Sequence, residues 1–306
     1  MLSLSTGKII AQIHSNDIID TDDVYIKDDL DNENDPEIDC SLDQKKKMFK
    51  TLVSKDKKFS STDIESILCA FENDTNVNPK LQRKFDNLLS QFKTLLKKQI
   101  LLPQDYTIEA IVKEPSYRIF VSGLSGSGKS YYISQFIKNN RKKNQQVFLL
   151  SPVDEDKAYS KIKDLIQISI PEILEETNQG EVGVNDFPEG SIIIFDDIES
   201  YPKSQLKMYL ELRQIILERG RHQNLSCITV SHNPMLGNIT KACIRESQYF
   251  VLFPKHNARD VKKLLSSYGN LDTSQIESIV SMKGRSVFFR KVIPQYAISD
   301  NEILVI

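Results

Sequence analysis

The sequence predicts an α/β fold in which a parallel sheet carries helices on both faces. Three features predict it. A glycine-rich run from Gly123 to Ser130 stands between a strand-like segment and a helix-like one. An apolar run from Ser191 to Asp197 ends in two aspartates. Further short apolar runs alternate with helical segments along the same part of the chain, as a parallel sheet requires.

The glycine-rich run, Gly123-Leu-Ser-Gly-Ser-Gly-Lys-Ser130, fits the Walker A pattern G-x-x-x-x-G-K-[ST]. Tyr117–Ser122 before it has the composition of a buried strand, and Tyr131–Lys138 after it has helical spacing. In such a setting backbone N–H groups surround nucleotide phosphates, the lysine reaches the β and γ oxygens, and the last hydroxyl binds Mg²⁺. The predicted nucleotide-binding residues are Gly123, Ser125, Gly126, Ser127, Gly128, Lys129, Ser130 and Tyr131.

The run Ser191-Ile-Ile-Ile-Phe-Asp-Asp197 predicts a strand that delivers carboxylates to this loop. We assign Asp196 to Mg²⁺, directly or through water. Asp197 is assigned to orienting or deprotonating the attacking water, with Glu199 as the substitute candidate.

The next predicted strand, Leu225–Ser231, ends in His232 and Asn233. A polar residue at the tip of a strand beside the carboxylate strand can contact the γ-phosphate, and His232 is the first choice, Asn233 the second. A metal site formed by His222, Cys227 and His232 is excluded, because Cys227 and His232 are an odd number of residues apart and point to opposite faces of a strand.

A predicted helix, Gln205–Glu218, is followed by Arg219, Gly220 and Arg221. Two interpretations of the arginines stay open. They act as an arginine finger in a neighbouring subunit's site, or they are cations that face the negative end of the helix dipole.

The five strands predicted near 118–122, 146–151, 191–196, 225–231 and 248–253 favour this architecture over two smaller classes of nucleotide-binding protein. A nucleoside-monophosphate kinase would carry an arginine-rich lid, but the late arginines are scattered. A Ras-like GTPase would need an Asn-Lys-x-Asp motif, which the sequence lacks.

Composition divides the chain into an N-terminal part and a catalytic part. Residues 1–58 are acidic and then basic and are expected to be mobile, residues 59–102 are expected to be helical, and residues 103–306 are expected to form the nucleotide-binding domain. Helices are also predicted over Asn257–Leu265 and Thr273–Val280, and a last strand over Ser286–Val292.

The formal net charge of −2 provides no overall basic field for nucleic acid. DNA contact would need local clusters, either Lys138 with Arg141–Lys143 or Lys262 with Lys263, and each is as readily a solvated helix face. Four unpatterned cysteines suit a reducing compartment. We expect a chain that is neither secreted nor membrane-spanning.

Taken in order, these motifs resemble the poxvirus-type genome-packaging ATPases of nucleocytoplasmic large DNA viruses, which belong to the FtsK/HerA superfamily of DNA translocases. The resemblance covers roughly residues 115–270 and depends on Arg118–Ser130, Val147–Val153, Ile193–Asp197, Gly220–Asn224 and Ser231–His232. His232 stands where family members often have glutamine.

The resemblance implies a ring-forming, Mg²⁺-dependent ATPase with a RecA-like P-loop fold and a helical N-terminal extension. Such an enzyme drives double-stranded DNA into a preformed capsid, so capsid or portal-vertex proteins are implied partners, and the host cytoplasm or the virion is the implied location. Two alternatives stay open: another P-loop enzyme, such as a helicase or nucleotide kinase, and a virion assembly protein that binds a nucleotide without hydrolysing it.

Overall fold

The computed structural model describes residues 2–3, 7–15, 21–26, 99–102, 106–153, 156–177, 182–234 and 237–306. The chain divides into two compact units, one comprising residues 1–108 and 301–305 and the other residues 109–300 with residue 306. The strands in the described residues are β1 (Leu2–Ser3), β2 (Lys8–Ser15), β3 (Thr21–Ile26), β4 (Gln99–Leu101), β5 (Tyr106–Ala110), β6 (Arg118–Ser122), β7 (Val147–Leu150), β8 (Leu165–Gln167), β9 (Ile192–Asp196), β10 (Ser226–Ser231), β11 (Tyr249–Leu252), β12 (Val287–Arg290), β13 (Tyr296–Ser299) and β14 (Glu302–Val305). The α-helices there are α1 (Lys129–Asn140), α2 (Ile170–Thr177), α3 (Lys203–Arg219), α4 (Asn238–Glu246), α5 (Pro254–Tyr268) and α6 (Thr273–Val280).

The first unit contains a small sheet with the strand order β1-β3-β2-β5 and an antiparallel pair formed by β4 and β14. Strands β2 and β3 pair antiparallel, with a shift of register between Ile9 and Ala11. This bulge breaks the alternation of faces, so the neighbouring side chains of Ile10 and Ala11 are both buried.

This part of the chain differs from the sequence-based expectation. Within residues 1–58, which we expected to be mobile, the strands β1, β2 and β3 are formed, and β3 (Thr21–Ile26) lies in the acidic part. Its acidic residues Asp22 and Asp23 lie at exposed or half-buried positions, whereas Val24 and Ile26 are buried. An acidic stretch can therefore form a strand when its few apolar residues alternate. Of the region predicted to be helical, 59–102, residues 59–98 lie outside the described residues, and Gln99–Leu101 is not helical but forms the strand β4.

The second unit is built on a mixed sheet. The strand order within it is β13-β12-β11-β6-β10-β9-β7-β8, and the run from β11 to β8 is parallel. Strands β12 and β13 add to one end in antiparallel orientation. Every residue of β6, β7, β9, β10 and β11 is buried, which explains why these strands are continuous apolar runs.

The predicted fold class is confirmed for this unit: the order of strands is that of a P-loop NTPase of the RecA-like type, in which β10 separates the loop strand β6 from the carboxylate strand β9. Because right-handed crossovers in opposite directions place their helices on opposite faces, α1 covers one face and α3 and α4 the other. The sequence did not predict β8, β13 and β14, or the helices α2 and α4.

Candidate functional site

The glycine-rich loop follows β6 and leads directly into α1. Gly126 and Gly128 have φ angles of 73° and 100°, a region that glycine adopts without strain. Gly123 is needed for close packing, because a Cβ atom there would lie 2.7 Å from Ser127 Oγ and 2.8 Å from the Phe253 ring. The loop thus has the local backbone that its sequence predicts, at the N-terminus of a helix, where unpaired N–H groups favour an anion.

Lys129, the first residue of α1, is buried, with 6% of its surface exposed. Its Nζ donates to the carbonyl oxygens of Gly123 at 2.9 Å and Leu124 at 3.3 Å, and lies 2.9 Å from His232 Nδ1. Burial lowers the pKa of Lys129, and the nearby carboxylates of Asp197 and Asp196 oppose that shift. The ammonium group is therefore held at the inner side of the loop by groups that a bound phosphate would replace.

His232 lies between Lys129 and Asp197. Since an ammonium group has only donors, His232 Nδ1 accepts from Lys129 and the proton is on Nε2. Nε2–H then donates to Asp197 Oδ2. The structure therefore brings together three of the predicted site residues in one hydrogen-bonded chain, which crosses from α1 to the tips of β10 and β9.

Asp197 itself has a left-handed backbone, with φ 48° and ψ 32°. Aspartate tolerates this region better than most residues, at a cost of roughly 1 kcal/mol. The turn redirects the chain after β9, and the 3-10 turn Ile198–Ser200 follows. The strained turn separates the roles of the two aspartates, because Asp196 stays in line with the strand while Asp197 faces His232.

Asp196 is buried, with 8% of its surface exposed. Burial raises the pKa of its carboxyl to about 7, and the neighbouring Asp197 charge adds to the shift. The hydroxyl of Tyr159 lies beside both Asp196 and Ser130 and is itself buried without a well-formed hydrogen bond. Ser130 and Asp196 therefore lie close enough to share the Tyr159 hydroxyl as a polar neighbour.

These groups fit a magnesium ion. A serine hydroxyl and a carboxylate are hard oxygen ligands of the kind that Mg²⁺ takes together with water and nucleotide phosphates. A divalent cation would also compensate the charge of Asp196, which burial disfavours. Among the described residues, however, no group of three or more histidine, cysteine, aspartate or glutamate side chains could hold a metal by itself. Nucleotide oxygens would have to complete the coordination.

Glu199 does not join the chain of Lys129, His232 and Asp197. Its side chain is 14% exposed and lies 3.8 Å from the Arg213 guanidinium, which is 3% exposed. Burial raises the pKa of Glu199, and Arg213 opposes that shift. Arg213 Nη2 also donates to the Ile239 carbonyl at 2.5 Å, so Arg213 connects the turn after Asp197 to α3 and α4. Glu199 is thus placed as the counter-ion of a buried arginine, which the sequence analysis did not single out.

Arg219 and Arg221 are exposed and lie before β10, whereas His232 lies after it. The strand rises about 3.3 Å per residue, so its two ends are roughly 17 Å apart. Neither arginine therefore reaches the phosphate loop of its own chain.

Arg285 was missed by sequence reasoning, although it touches the phosphate loop. Its Nε donates to the Ser127 carbonyl at 2.8 Å and its Nη2 to the Gly126 carbonyl at 3.3 Å. The separation of 158 residues between Arg285 and Ser127 explains why no local pattern announced it. Tyr159 and Arg213 were missed as well, because neither belongs to a motif that names its partner.

The comparisons with known proteins found relatives of limited similarity. No protein-family model matches the chain. An uncharacterized protein, V3, of the Sputnik virophage is 29% identical over 196 residues, 61% of this chain and 77% of that protein. The genome packaging NTPase B204 from Sulfolobus turreted icosahedral virus 2, solved with ATP-gammaS, has 13% identity and a TM-score of 0.39 over 63% of this chain and 100% of that chain. The pCW3 conjugation coupling protein TcpA has 11% identity and a TM-score of 0.42 over 66% of this chain and 65% of that chain.

Proposed function

We propose that the protein is a Mg²⁺-dependent ATPase that moves double-stranded DNA and packages a viral genome into a capsid. The observation that carries the ATPase part is the hydrogen-bonded chain Lys129–His232–Asp197, which stands at the N-terminus of α1 beside Asp196 and Ser130. One set of neighbouring side chains therefore provides a phosphate-binding cation, a metal-binding pair and a water-orienting carboxylate.

The proposed mechanism assigns a task to each group. The backbone N–H groups of the loop and the Lys129 ammonium bind the β- and γ-phosphates, for which Lys129 exchanges its contacts with the loop carbonyls and His232. Ser130 and Asp196 would hold Mg²⁺, which would supply charge neutralisation on the phosphate oxygens. Asp197 orients the attacking water and accepts its proton. The water oxygen bonds to the γ-phosphorus as the bond from that phosphorus to the β–γ bridging oxygen breaks, which releases ADP and inorganic phosphate.

His232 is proposed to report the state of the γ-phosphate. Its Nδ1 faces Lys129 and its Nε2 faces Asp197, so a phosphate that draws Lys129 away leaves the Nδ1 position free to rearrange. With a proton on Nδ1, the imidazole would donate to a phosphate oxygen there, as a glutamine amide would.

The DNA part of the proposal is supported by the sequence resemblance to packaging ATPases. A single chain with a formal net charge of −2 lacks an overall basic surface for DNA. A ring of identical subunits would repeat the local basic clusters around a central duplex. It would also let Arg219 and Arg221 face a neighbour's phosphate loop, a role that their exposed position allows. A capsid or portal-vertex protein as partner, and the assembly site in the host cytoplasm or the virion as location, belong to the same proposal. In the part of the chain that the structure describes, no helix is long and apolar enough to cross a bilayer.

The test is steady-state ATP hydrolysis with and without double-stranded DNA, with Mg²⁺ or with a chelator. The Lys129→Ala variant removes the phosphate-binding cation, and Lys207→Ala is the matched control because that lysine is 81% exposed on α3. We expect turnover that requires Mg²⁺, rises with DNA, is lost in Lys129→Ala and is kept in Lys207→Ala.

Other outcomes select the alternatives. Turnover that is indifferent to DNA, together with phosphoryl transfer to a small acceptor or with strand separation, would identify another P-loop enzyme. Nucleotide binding without turnover would identify an assembly protein that uses the site as a structural switch.

A further inference from the structure

We propose that Arg285 is a positioning residue that clasps the outer side of the phosphate loop and holds it in the shape that receives phosphates. The inference rests in part on the proposed nucleotide site. It adds a residue to that site which no sequence motif contains.

The contacts define the clasp. The guanidinium of Arg285 donates to two successive carbonyl oxygens, those of Ser127 at 2.8 Å and Gly126 at 3.3 Å. These carbonyls belong to the stretch in which Gly126 and Gly128 have positive φ angles, so the loop backbone is at its least regular there. One planar group that accepts no hydrogen bond and donates several is suited to tie two adjacent carbonyls together.

A Cβ atom at Gly128, whose φ angle of 100° already favours glycine, would have to displace the Arg285 guanidinium. A Cβ atom at this position would lie 2.8 Å from Arg285 Cζ and 2.9 Å from its Nε and Nη2. The close approach shows that the guanidinium lies directly on the Gly128 backbone, immediately before Lys129. Movement of Arg285 is thereby coupled to the loop residue that precedes the phosphate-binding lysine.

The backbone of Arg285 is held in place by Asp300. Its backbone N–H donates to Asp300 Oδ2 at 2.8 Å, and a Cβ atom on Gly284 would lie 3.0 Å from the same oxygen. Gly284 has a φ angle of 123°, so the turn that presents Arg285 is built on glycine. No carboxylate among the described residues forms an ion pair with the Arg285 guanidinium, and two carbonyls are the acceptors that the structure gives it.

The clasp makes a specific prediction about nucleotides. Because Arg285 contacts the loop and not the region of Lys129 and His232, its loss should weaken ATP and ADP by the same factor. Two lost hydrogen bonds from a charged donor to a partly exposed loop correspond to about a tenfold rise in Kd. Arg285→Lys, which offers one donor point in place of a fork, should recover about half of the logarithmic loss.

The experiment uses the full chain and two readouts. Kd values for ATP and ADP are measured for the wild type, Arg285→Ala, Arg285→Lys and the control Arg259→Ala, an exposed arginine on α5. In parallel, hydrogen–deuterium exchange of peptides covering residues 123–130 is measured without nucleotide. We expect equal weakening of ATP and ADP in Arg285→Ala, faster exchange confined to the loop peptide, and an unchanged melting temperature.

Several results would overturn the clasp. A loss for ATP alone would mean that Arg285 contacts the γ-phosphate directly, and unchanged affinities for both nucleotides would mean that it does not position the loop. If the wild type binds no nucleotide, the proposed function fails, but the exchange measurement still decides about Arg285: an unchanged loop peptide refutes the clasp and faster exchange supports it.

Discussion

The two ends of the parallel strands in the second unit hold their polar residues in different ways. At the carboxyl ends, Lys129, His232 and Asp197 contact one another, and Asp196 is buried beside them. At the amino ends, Arg219 and Arg221 are exposed to solvent. The carboxyl ends therefore have the density of contacts that chemistry within one chain needs. The exposed position of Arg219 and Arg221 suits either action on a neighbouring subunit or the role of cations at the end of α3.

The strongest test of this difference removes both arginines at the amino ends. We expect the Arg219→Ala/Arg221→Ala variant to lose about 1000-fold in kcat, the scale of an arginine finger. ATP affinity should be kept, because the variant's own phosphate loop lies at the opposite ends of the strands. Steady-state turnover and a nucleotide binding curve measure both quantities.

Mixing two kinds of variant subunit then tests whether Arg219 and Arg221 act in the site of a neighbouring subunit. Subunits with Lys129→Ala still carry both arginines, so adding them to the double variant should restore part of the activity if the arginines act across a subunit interface. Turnover that stays at the wild-type level in the double variant would instead make these residues cations at the end of α3.

The next largest effect is expected from Asp197. Asp197→Asn removes the proton acceptor but keeps a residue that tolerates the φ angle of 48°. Turnover should fall about 100-fold while ATP affinity changes little, as is typical for loss of a general base. The control is Glu211→Gln, the same chemical change at a side chain that is 60% exposed. An equal loss of ATP affinity in Asp197→Asn would show that Asp197 binds the nucleotide and does not act on water.

A third test concerns the buried pair that supports the turn after Asp197. Arg213→Met leaves Glu199 buried without its counter-ion, and the free energy of unfolding should fall by about 3 kcal/mol. The double variant Arg213→Met/Glu199→Gln should recover much of that loss, since neither charge remains. Urea unfolding of the four proteins in the cycle gives the coupling energy. Additive losses would show that the separation of 3.8 Å carries no interaction.

The sequence was sufficient for the parts of this molecule that are encoded locally. The Walker A loop, the strand that ends at Asp196 and the strand that ends before His232 can each be identified within a dozen residues, and the alternation of strands with helices indicates a parallel sheet. The roles proposed for these residues remain predictions.

The remainder depends on contacts that no local pattern contains. Arg285 meets Ser127 across 158 residues, and β14 pairs with β4, which lies some two hundred residues earlier in the chain. Strand β13 (Tyr296–Ser299) is as short as β7 and β11 but is not a continuous apolar run as they are, so its sequence does not distinguish it from a loop. In the first unit, the bulge at Ile9 and Ala11 disrupts the alternation that would have identified β2.

The smallest expected effect concerns the charge of Asp196. The pKa of its carboxyl is raised to about 7 in the folded chain, while that of an unfolded aspartate is about 4. Between these values the folded state binds more protons than the unfolded state, so this group makes the free energy of unfolding fall as pH rises from 4 to 7. Asp196→Asn removes that dependence. In a chelator and without nucleotide, the variant should gain about 2 kcal/mol over the wild type between pH 5 and pH 8.

Denaturant unfolding at the two pH values measures the gain, with Glu211→Gln as the exposed control. Parallel pH curves for the wild type and Asp196→Asn would show that the folded chain does not resist the charge on Asp196. A gain at pH 8 would mean that the carboxyl ends of the strands keep a destabilising charge in the empty protein. At the amino ends Arg219 and Arg221 are exposed and carry no such cost, whereas the buried Arg118 donates to the Leu217 carbonyl oxygen at 2.7 Å. Since a cation beside Asp196 would remove that cost, the same buried charge that weakens the empty fold would favour Mg²⁺ and nucleotide when they bind.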